Sequence, residues 1–426
     1  MIKDVPFKKH FLLGHTKYFA KSTLGFVTKC TDLNMPMAKA KIGFKGFVFL
    51  FEPDTITHVL QKNNKNYVKS FAYKGLKAFL GNGLLTAEQN LWLKNRRVLQ
   101  PGFIQKEIRI LNDDITDAID YKVNLLDLSK TYNLQELFLD WTKDILLKSM
   151  FGLNVSEIKE LGNMHTHLWF LRNYANSRMK KPFMPPLSWP TKTNKSFKIA
   201  VFELEGIILK LFKLSSNKPQ KGKLVQHILE QQKEGKWDDQ QVFDEIITLF
   251  LAGQETTTNA MVFLVHCLHE YPDYINRISD KNDPLAWEHI INEVLRLYPP
   301  VWAVSREALS HDKIDNKPIK KGTTLFLSIY AIQRHPKFWK QPNQFRPERF
   351  LEKFSKQAYM PFGIGPRMCI GNHLALLEMK LMAEKIYTNF EIENKSENPL
   401  QLITPMTLGT KSPYLVKLKN LILIKE

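Results

Sequence analysis

The chain has 426 residues, 44% hydrophobic and 24% charged, and 61 Lys and Arg against 42 Asp and Glu give a formal net charge of +19. This length and apolar content suffice for a large core and exclude a disordered chain, while three distant cysteines (Cys30, Cys267, Cys369) without Cys-x-x-Cys spacing exclude a disulfide framework and a zinc cluster and fit a reducing compartment. The positive balance suits either a solvated lysine-rich surface or a basic face that steers an acidic partner; no basic run with interleaved aromatics marks nucleic acid as that partner.

Met1 to His10 holds no apolar run approaching the ~20 residues of a bilayer span. Phe11-Leu12-Leu13 is shorter than a signal-peptide core of roughly 7–15 residues. A cytoplasmic protein without a membrane anchor is expected. No Gly/Ser- or Pro-rich linker divides the chain, so residues 1–426 read as a single domain. Residues 16–33 predict a helix. Ile42 to Phe51 reads as a β-hairpin closed by Glu52-Pro53-Asp54, with Asp54 as N-cap of a short helix from Thr55 to Gln61. Phe71 to Leu85, with Gly75, Gly81 and Gly83, reads as a loop-rich pocket border. Trp92 and Arg96 stand four residues apart on the next helix and share one face, before Pro101-Gly102 breaks it.

Residues 107–151 predict helix. The prolines Pro182, Pro185, Pro186 and Pro190 mark a connection that reads equally as a lid or as an ordinary link. Asp238 to Gln241 has the spacing of a capping box. A very long helix should follow to about Glu270, stopped by Pro272. Gly253 and Thr256-Thr257-Thr258 lie in its middle, where low propensity and hydroxyl-to-carbonyl bonds predict a break or bend. A helix over Leu285 to Leu297 contains Glu293-Val294-Leu295-Arg296 and ends at Pro299-Pro300. Strands are expected near Trp302–Arg306, Lys317–Ile319 and Thr324–Ser328. The whole reads as mainly α with a smaller β part.

The loop Pro361-Phe362-Gly363-Ile364-Gly365-Pro366-Arg367-Met368-Cys369-Ile370-Gly371 carries the chemistry. Glycines let backbone N–H groups approach a sulfur closely, and an arginine and the start of a helix flank the cysteine, both of which stabilise a thiolate. Cys369 therefore reads as a metal-binding thiolate, the alternative being a buried structural cysteine.

Phe362-x-x-Gly365-x-Arg367-x-Cys369-x-Gly371 resembles the haem-binding loop of the cytochrome P-450 family. Glu293-x-x-Arg296 resembles its structural helix pair, and Pro347-Glu348-Arg349-Phe350 the loop that completes a Glu-Arg-Arg triad. Ala252-Gly253-Gln254-Glu255-Thr256 resembles its oxygen-activating helix, and Trp92-x-x-x-Arg96 its propionate helix. The order and spacing match across essentially the whole chain.

The resemblance implies a P-450 fold, with a long oxygen-activating helix over haem, and the cofactor haem b (iron protoporphyrin IX) ligated by Cys369, a thiolate that favours O–O cleavage. It implies that Phe362 shields the sulfur, that Gly371 lies in the haem loop and Ala252 on the oxygen-activating helix, and that Trp92, Arg96, Arg306 and Arg367 bind propionates. Glu255 and Thr256 would be the acid–alcohol pair that protonates dioxygen, and Glu293, Arg296 and Arg349 a buried ion network. The implied reaction is insertion of one oxygen atom of O2 into a C–H bond, as hydroxylation or oxidative O-demethylation. No flavin or iron–sulfur segment follows the loop. Electrons from NAD(P)H are therefore expected indirectly, through a ferredoxin or flavodoxin and its reductase, to a monomer.

The pocket walls are expected to include Phe71, Tyr73, Phe170, Leu249, Val301, Trp302 and Met406, which suits a lipophilic fatty-acid or terpenoid- or carotenoid-like substrate. Tyr73, Arg172, Asn173 and Trp302 also suit a polar one, such as a methylated sugar. A peroxide-using haem-thiolate enzyme and a non-catalytic haem binder remain as alternatives.

Overall fold

The computed structural model describes residues 2–32, 35–162, 164–180, 185–216, 224–280 and 282–421. The chain divides into two compact units: residues 1–70, 259–372 and 392–417 form one, and residues 71–258, 373–391 and 418–426 the other. No described helix is long and apolar enough to cross a membrane.

The first unit is built on a five-stranded sheet ordered Met37–Ile42, Lys45–Leu50, Thr324–Ser328, Ala303–Ala308, Tyr67–Lys69. The hairpin begins earlier than the sequence suggested. Met37–Ile42 pairs antiparallel with Lys45–Leu50, because the turn falls at Gly43-Phe44, with Gly43 at φ +59°, and not at Glu52-Pro53-Asp54. Lys45–Leu50 then runs parallel to Thr324–Ser328. Side chains alternate across the sheet as the pleat requires. Val48, Leu50, Leu325 and Leu327 enter one buried cluster. Phe49 and Phe51 join Phe26, Val27 and Cys30 in the other, beside the helix Thr23–Asp32, which Ser22 separates from Thr16–Lys21. Asp54 is not an N-cap. The helix Pro53–Thr57 has Glu52 at its N-cap and Pro53 in its first turn, where a proline lacks no needed donor. It continues as a π-turn, His58–Lys62.

The second unit is helical, with three corrections to the sequence reading. Phe71 to Leu85 is not mainly loop, since Lys74–Leu80 is a helix whose buried Gly75 admits the Ala175 carbonyl at a distance only a glycine accommodates easily. Residues 107–151 are interrupted by an extended segment, Thr131–Asn133, before the helix Leu134–Phe151, capped by the Asn133 side chain. The long helix Asp239–Glu270 is continuous; it passes Gly253 and the three threonines unbroken. Gly253 lies against Leu146, where a Cβ would come within 3.2 Å of Leu146 Cδ1. The hydroxyls of Thr256 and Thr258 donate to the carbonyls of Ala252 (2.7 Å) and Gln254 (2.8 Å), inside the helix. Asp238 caps it through the Gln241 N–H at 2.8 Å. Of the proline-rich connection, Pro182 lies outside the described residues. Pro185 and Pro186 accept hydrogen bonds from Arg178 and Asn194.

Candidate functional site

In the first unit the cysteine loop is held from several sides. The Cys369 N–H donates to the Phe362 carbonyl at 2.8 Å, and the Met368 N–H to Gly365 at 3.0 Å. Gly363 and Gly365 have φ of +72° and +75°, a region that L side chains enter only with strain. Gly365 has a second constraint: a Cβ there would overlap the Leu60 carbonyl oxygen, whereas Gly363 has nothing within 4 Å. The loop thus rests on the π-turn His58–Lys62. That turn is tied down by Asp312, whose Oδ2 accepts from His58 Nε2 (2.8 Å), Asn63 Nδ2 (2.9 Å) and Tyr67 Oη (2.5 Å). Burial pushes the Asp312 carboxyl up, but these donors and the Lys313 N–H outweigh it and bring it down to about 2. The helix Asn372–Asn389 starts just beyond the loop, so its N-terminal dipole lies close to Cys369 in the chain.

The three cysteines differ in setting. Cys30 and Cys267 are buried and Cys369 is exposed. Burial pushes the Cys30 thiol up to about 12 and raises that of Cys267 as well, so both are inert core residues.

Glu293, Arg296 and Arg349 meet in the same unit. Glu293 Oε2 accepts from Arg296 Nε at 2.7 Å, and Oε1 accepts from Arg296 Nη2 (2.8 Å), Arg349 Nε (2.9 Å) and the Arg346 N–H (2.9 Å). Spare guanidinium donors reach carbonyls of the segment before the cysteine loop: Arg296 reaches Gln333, Pro342 and Gln344, and Arg349 reaches Lys340. Trp339 lies 5.0 Å from the Arg296 guanidinium and 5.8 Å from that of Arg349.

Gln333, absent from the sequence reading, is fully buried. Its Nε2 donates to Leu295 and Arg296 carbonyls, and its Oε1 accepts the Met360 N–H at 2.8 Å. It stitches the end of the triad helix to the entrance of the cysteine loop. Its only signal was position, in a stretch without periodicity. Arg306 is 8% exposed on its strand and donates to the Ser305 carbonyl. Trp302 is buried, and Val301 and Met406 are more open. The Leu408 N–H donates to Pro300, which ties the Met406 segment to the Val301 turn.

In the second unit Trp92 and Arg96 lie on the helix Gln89–Leu99, both half-buried, and Arg96 Nε donates to Gln100. The turn before this helix hangs on two acids of the long helix. The Asn82 N–H donates to Asp244 Oδ2 (2.6 Å), and the Leu84 N–H to Glu245 Oε2 (2.9 Å). Burial raises the Asp244 carboxyl and pushes Glu245 up to about 8. Neither acid was singled out from sequence, where they look like the first turns of an amphipathic helix.

On the long helix, Ala252 is exposed although Leu251 beside it is buried. Glu255 Oε1 is 2.5 Å from Arg172 Nη1 on the helix Met164–Lys180. Thr257 bonds Glu378, whose wholly buried carboxyl is pushed up to about 8. Phe71, Tyr73 and Phe170 are half-buried and Leu249 is buried. In the first unit an exposed thiol in a glycine cradle fits a haem-iron ligand; in the second, Ala252 is exposed in mid-helix, near an acid and an alcohol in the chain.

The family pattern for cytochrome P-450 matches residues 5–283 and 284–418. The chain belongs to the cytochrome P-450 family. Cytochrome P-450 132 of Mycobacterium tuberculosis is 29% identical over 403 residues, spanning 86% of each chain. Human cytochrome P-450 3A5 is 24% identical over 449 residues, spanning 96% of this chain and 89% of its own. Among solved structures, the heme domain of a mutant cytochrome P-450DA superposes with a TM-score of 0.82 at 20% identity, over 99% of this chain and 98% of the other. The fold is that of a P-450 heme domain, mainly helical with a smaller β part. Membership makes the chain a haem-thiolate monooxygenase in general terms, an oxidoreductase that uses haem iron and O2 on a small-molecule substrate.

Proposed function

We propose that Cys369 is the axial thiolate of haem b, and that the chain acts as one catalytic domain that hydroxylates or oxidatively O-demethylates a small organic substrate. The observation that carries this reading is the setting of Cys369. It is the exposed one of three cysteines, in a loop whose Gly365 must be glycine to sit on the Leu60 carbonyl. When bound, the haem supplies reductive activation of O2 for oxygen insertion. The chain's residues do the rest. Trp92, Arg96, Arg306 and Arg367 are assigned to the propionates, Phe362 and Gly371 to the cover of the thiolate, and Ala252 to the haem-facing strip of the long helix. Glu293, Arg296 and Arg349 hold the segment that leads to the loop.

Glu255 and Thr256 are assigned to proton delivery. Dioxygen needs protons on the oxygen atom that leaves as water, and a hydroxyl beside a carboxylate can relay them. Both residues are present, which favours O2-dependent turnover over peroxide use. Thr256→Ala should keep reductant consumption within about twofold while most electrons leave as peroxide, a loss of the 10²–10⁴-fold such groups contribute. Unchanged coupling of electrons to product would refute the assignment.

Phe71, Tyr73, Phe170, Leu249, Val301, Trp302 and Met406 are assigned to the pocket. Their apolar character supports a lipophilic guest, fatty-acid or terpenoid-like. Electrons are assigned to a separate acidic ferredoxin or flavodoxin, itself reduced by NAD(P)H through a reductase. The net charge of +19 supports this partner, and the cytoplasm is the location assigned to the pair. Turnover with such a donor should fall as ionic strength rises, and a flat salt profile would oppose the assignment.

A further inference from the structure

The acid and the alcohol assigned to proton delivery are both engaged elsewhere. Glu255 Oε1 is ion-paired with Arg172 Nη1 at 2.5 Å, and the Thr256 hydroxyl donates to the Ala252 carbonyl at 2.7 Å. The ion pair is largely sheltered, with the Arg172 side chain 25% exposed and that of Glu255 12%. One turn beyond Arg172, on the same face of its helix, Asn176 Oδ1 is buried without a hydrogen-bond partner. The helix Met164–Lys180 thus carries a paired guanidinium and, one turn on, a buried amide oxygen without a partner, in a stretch whose neighbours Leu168, Leu171 and Ala175 are buried and apolar.

A guanidinium in such a setting will not leave its carboxylate for an apolar guest, because the separation would leave both charges sheltered and unpaired. Another carboxylate removes that obstacle for the guanidinium, and the Thr256 hydroxyl can donate to Glu255 in its place. A substrate carboxylate can accept the planar fork bidentately. Glu255 is then free to turn toward Thr256.

We propose that Arg172 is a substrate-operated latch on Glu255, and that the substrate carries a carboxylate which draws the guanidinium away and so releases the proton-delivering acid. The proposal rests on the monooxygenase reading and deepens it. It selects carboxylic acids among the lipophilic and sugar-like candidates, and it makes binding of the correct substrate the event that prepares proton transfer. Electrons drawn before the acid is released would leave as peroxide, so the latch also explains how a neutral guest would be poorly oxidised. Arg172 acts through Glu255 and is a positioning residue, with a second role in recognition.

The test uses the haem-loaded full chain and matched pairs of probes: lauric acid, phenylacetic acid and galacturonic acid, each with its methyl ester. Dissociation constants come from the spin-state shift of the haem Soret band, and coupling from product formed per reductant consumed. The wild type should bind at least one acid about tenfold or more tightly than its neutral partner, and oxidise it with better coupling. Arg172→Gln should erase that preference, weakening the acid about tenfold or more while leaving the neutral partner within about twofold. Arg172→Lys should restore part of it.

Equal affinity for acids and neutral partners, no binding of any acid, or an acid preference that survives in Arg172→Gln would each overturn the latch. The thiolate-type Soret band of the reduced CO complex separates the two failures. Present in both proteins, it leaves the monooxygenase reading standing while the latch falls; absent from the wild type, it overturns both.

Discussion

Replacing Glu293 by alanine tests how the cysteine loop is held in place. Glu293 is fully buried and its carboxylate accepts four hydrogen bonds, three of them from Arg296 and Arg349. Those arginines are 0% and 5% exposed. Burial already lowers the Arg349 pKa, and Glu293 is the main influence opposing it. Truncation leaves two sheltered cations unpaired, which costs about 3–5 kcal/mol. Set against a total stability of about 5–15 kcal/mol, that is a large fraction. With an unfolding entropy of about 2.1 cal/mol/K per residue, the melting temperature should fall by ~3–6 °C. The loss should also reach the loop, because both guanidiniums donate to carbonyls between Gln333 and Gln344. The assay combines calorimetry with haem content and the fraction of reduced CO complex showing the thiolate-type band. Glu293→Gln, which keeps acceptor capacity, should fall between wild type and alanine. Wild-type melting and haem occupancy in Glu293→Ala would refute the reasoning.

The two glycines of the loop should separate strain from collision. Gly363→Ala should cost about 1–2 kcal/mol for its left-handed backbone alone. Gly365→Ala should cost clearly more and reduce haem retention, because its Cβ would meet the Leu60 carbonyl; equal effects in denaturant titrations would contradict this. Glu378 makes a pH prediction. Its folded carboxyl is raised from 4.5 to about 8 by burial, only partly offset by Thr257. The folded state therefore holds that proton more tightly, so the contribution of Glu378 to stability is complete below pH ~4.5 and is lost as pH rises toward ~8. Glu378→Gln should flatten that decline and gain about 3–5 kcal/mol relative to wild type at the alkaline end. Parallel pH profiles from urea denaturation would count against it.

What could be read from the sequence follows from the range of the interactions. The Cys369 loop, the Trp92–Arg96 pair and the Glu293–Arg296 pair are written in residues close along the chain, where glycines and helical spacing carry the information. The strands Lys317–Ile319 and Thr324–Ser328 were legible for the same reason, as short runs bounded by turn residues. The hairpin was misplaced because Met37–Ile42 alternates lysine with alanine and isoleucine, a pattern weaker than the phenylalanine-rich partner strand. The long helix was expected to break at Gly253 and the threonines. It does not break: Gly253 serves close packing on Leu146, and the expected bonds from the Thr256 and Thr258 hydroxyls to carbonyls of the same helix form without interrupting it. Gln333, Asp244, Glu245 and the Arg172–Glu255 pair were invisible. Each joins segments far apart in sequence, and no periodicity announces a contact of that kind.

The central claim is that Cys369 holds the haem iron as a thiolate. The most direct measurement is the reduced CO spectrum of the wild type beside Cys369→Ser, with haem content determined on both. The wild type should show the thiolate-type Soret band, and the serine variant should lose it, with haem either absent or giving the histidine-type band. A thiolate-type band that persists in Cys369→Ser would contradict the account.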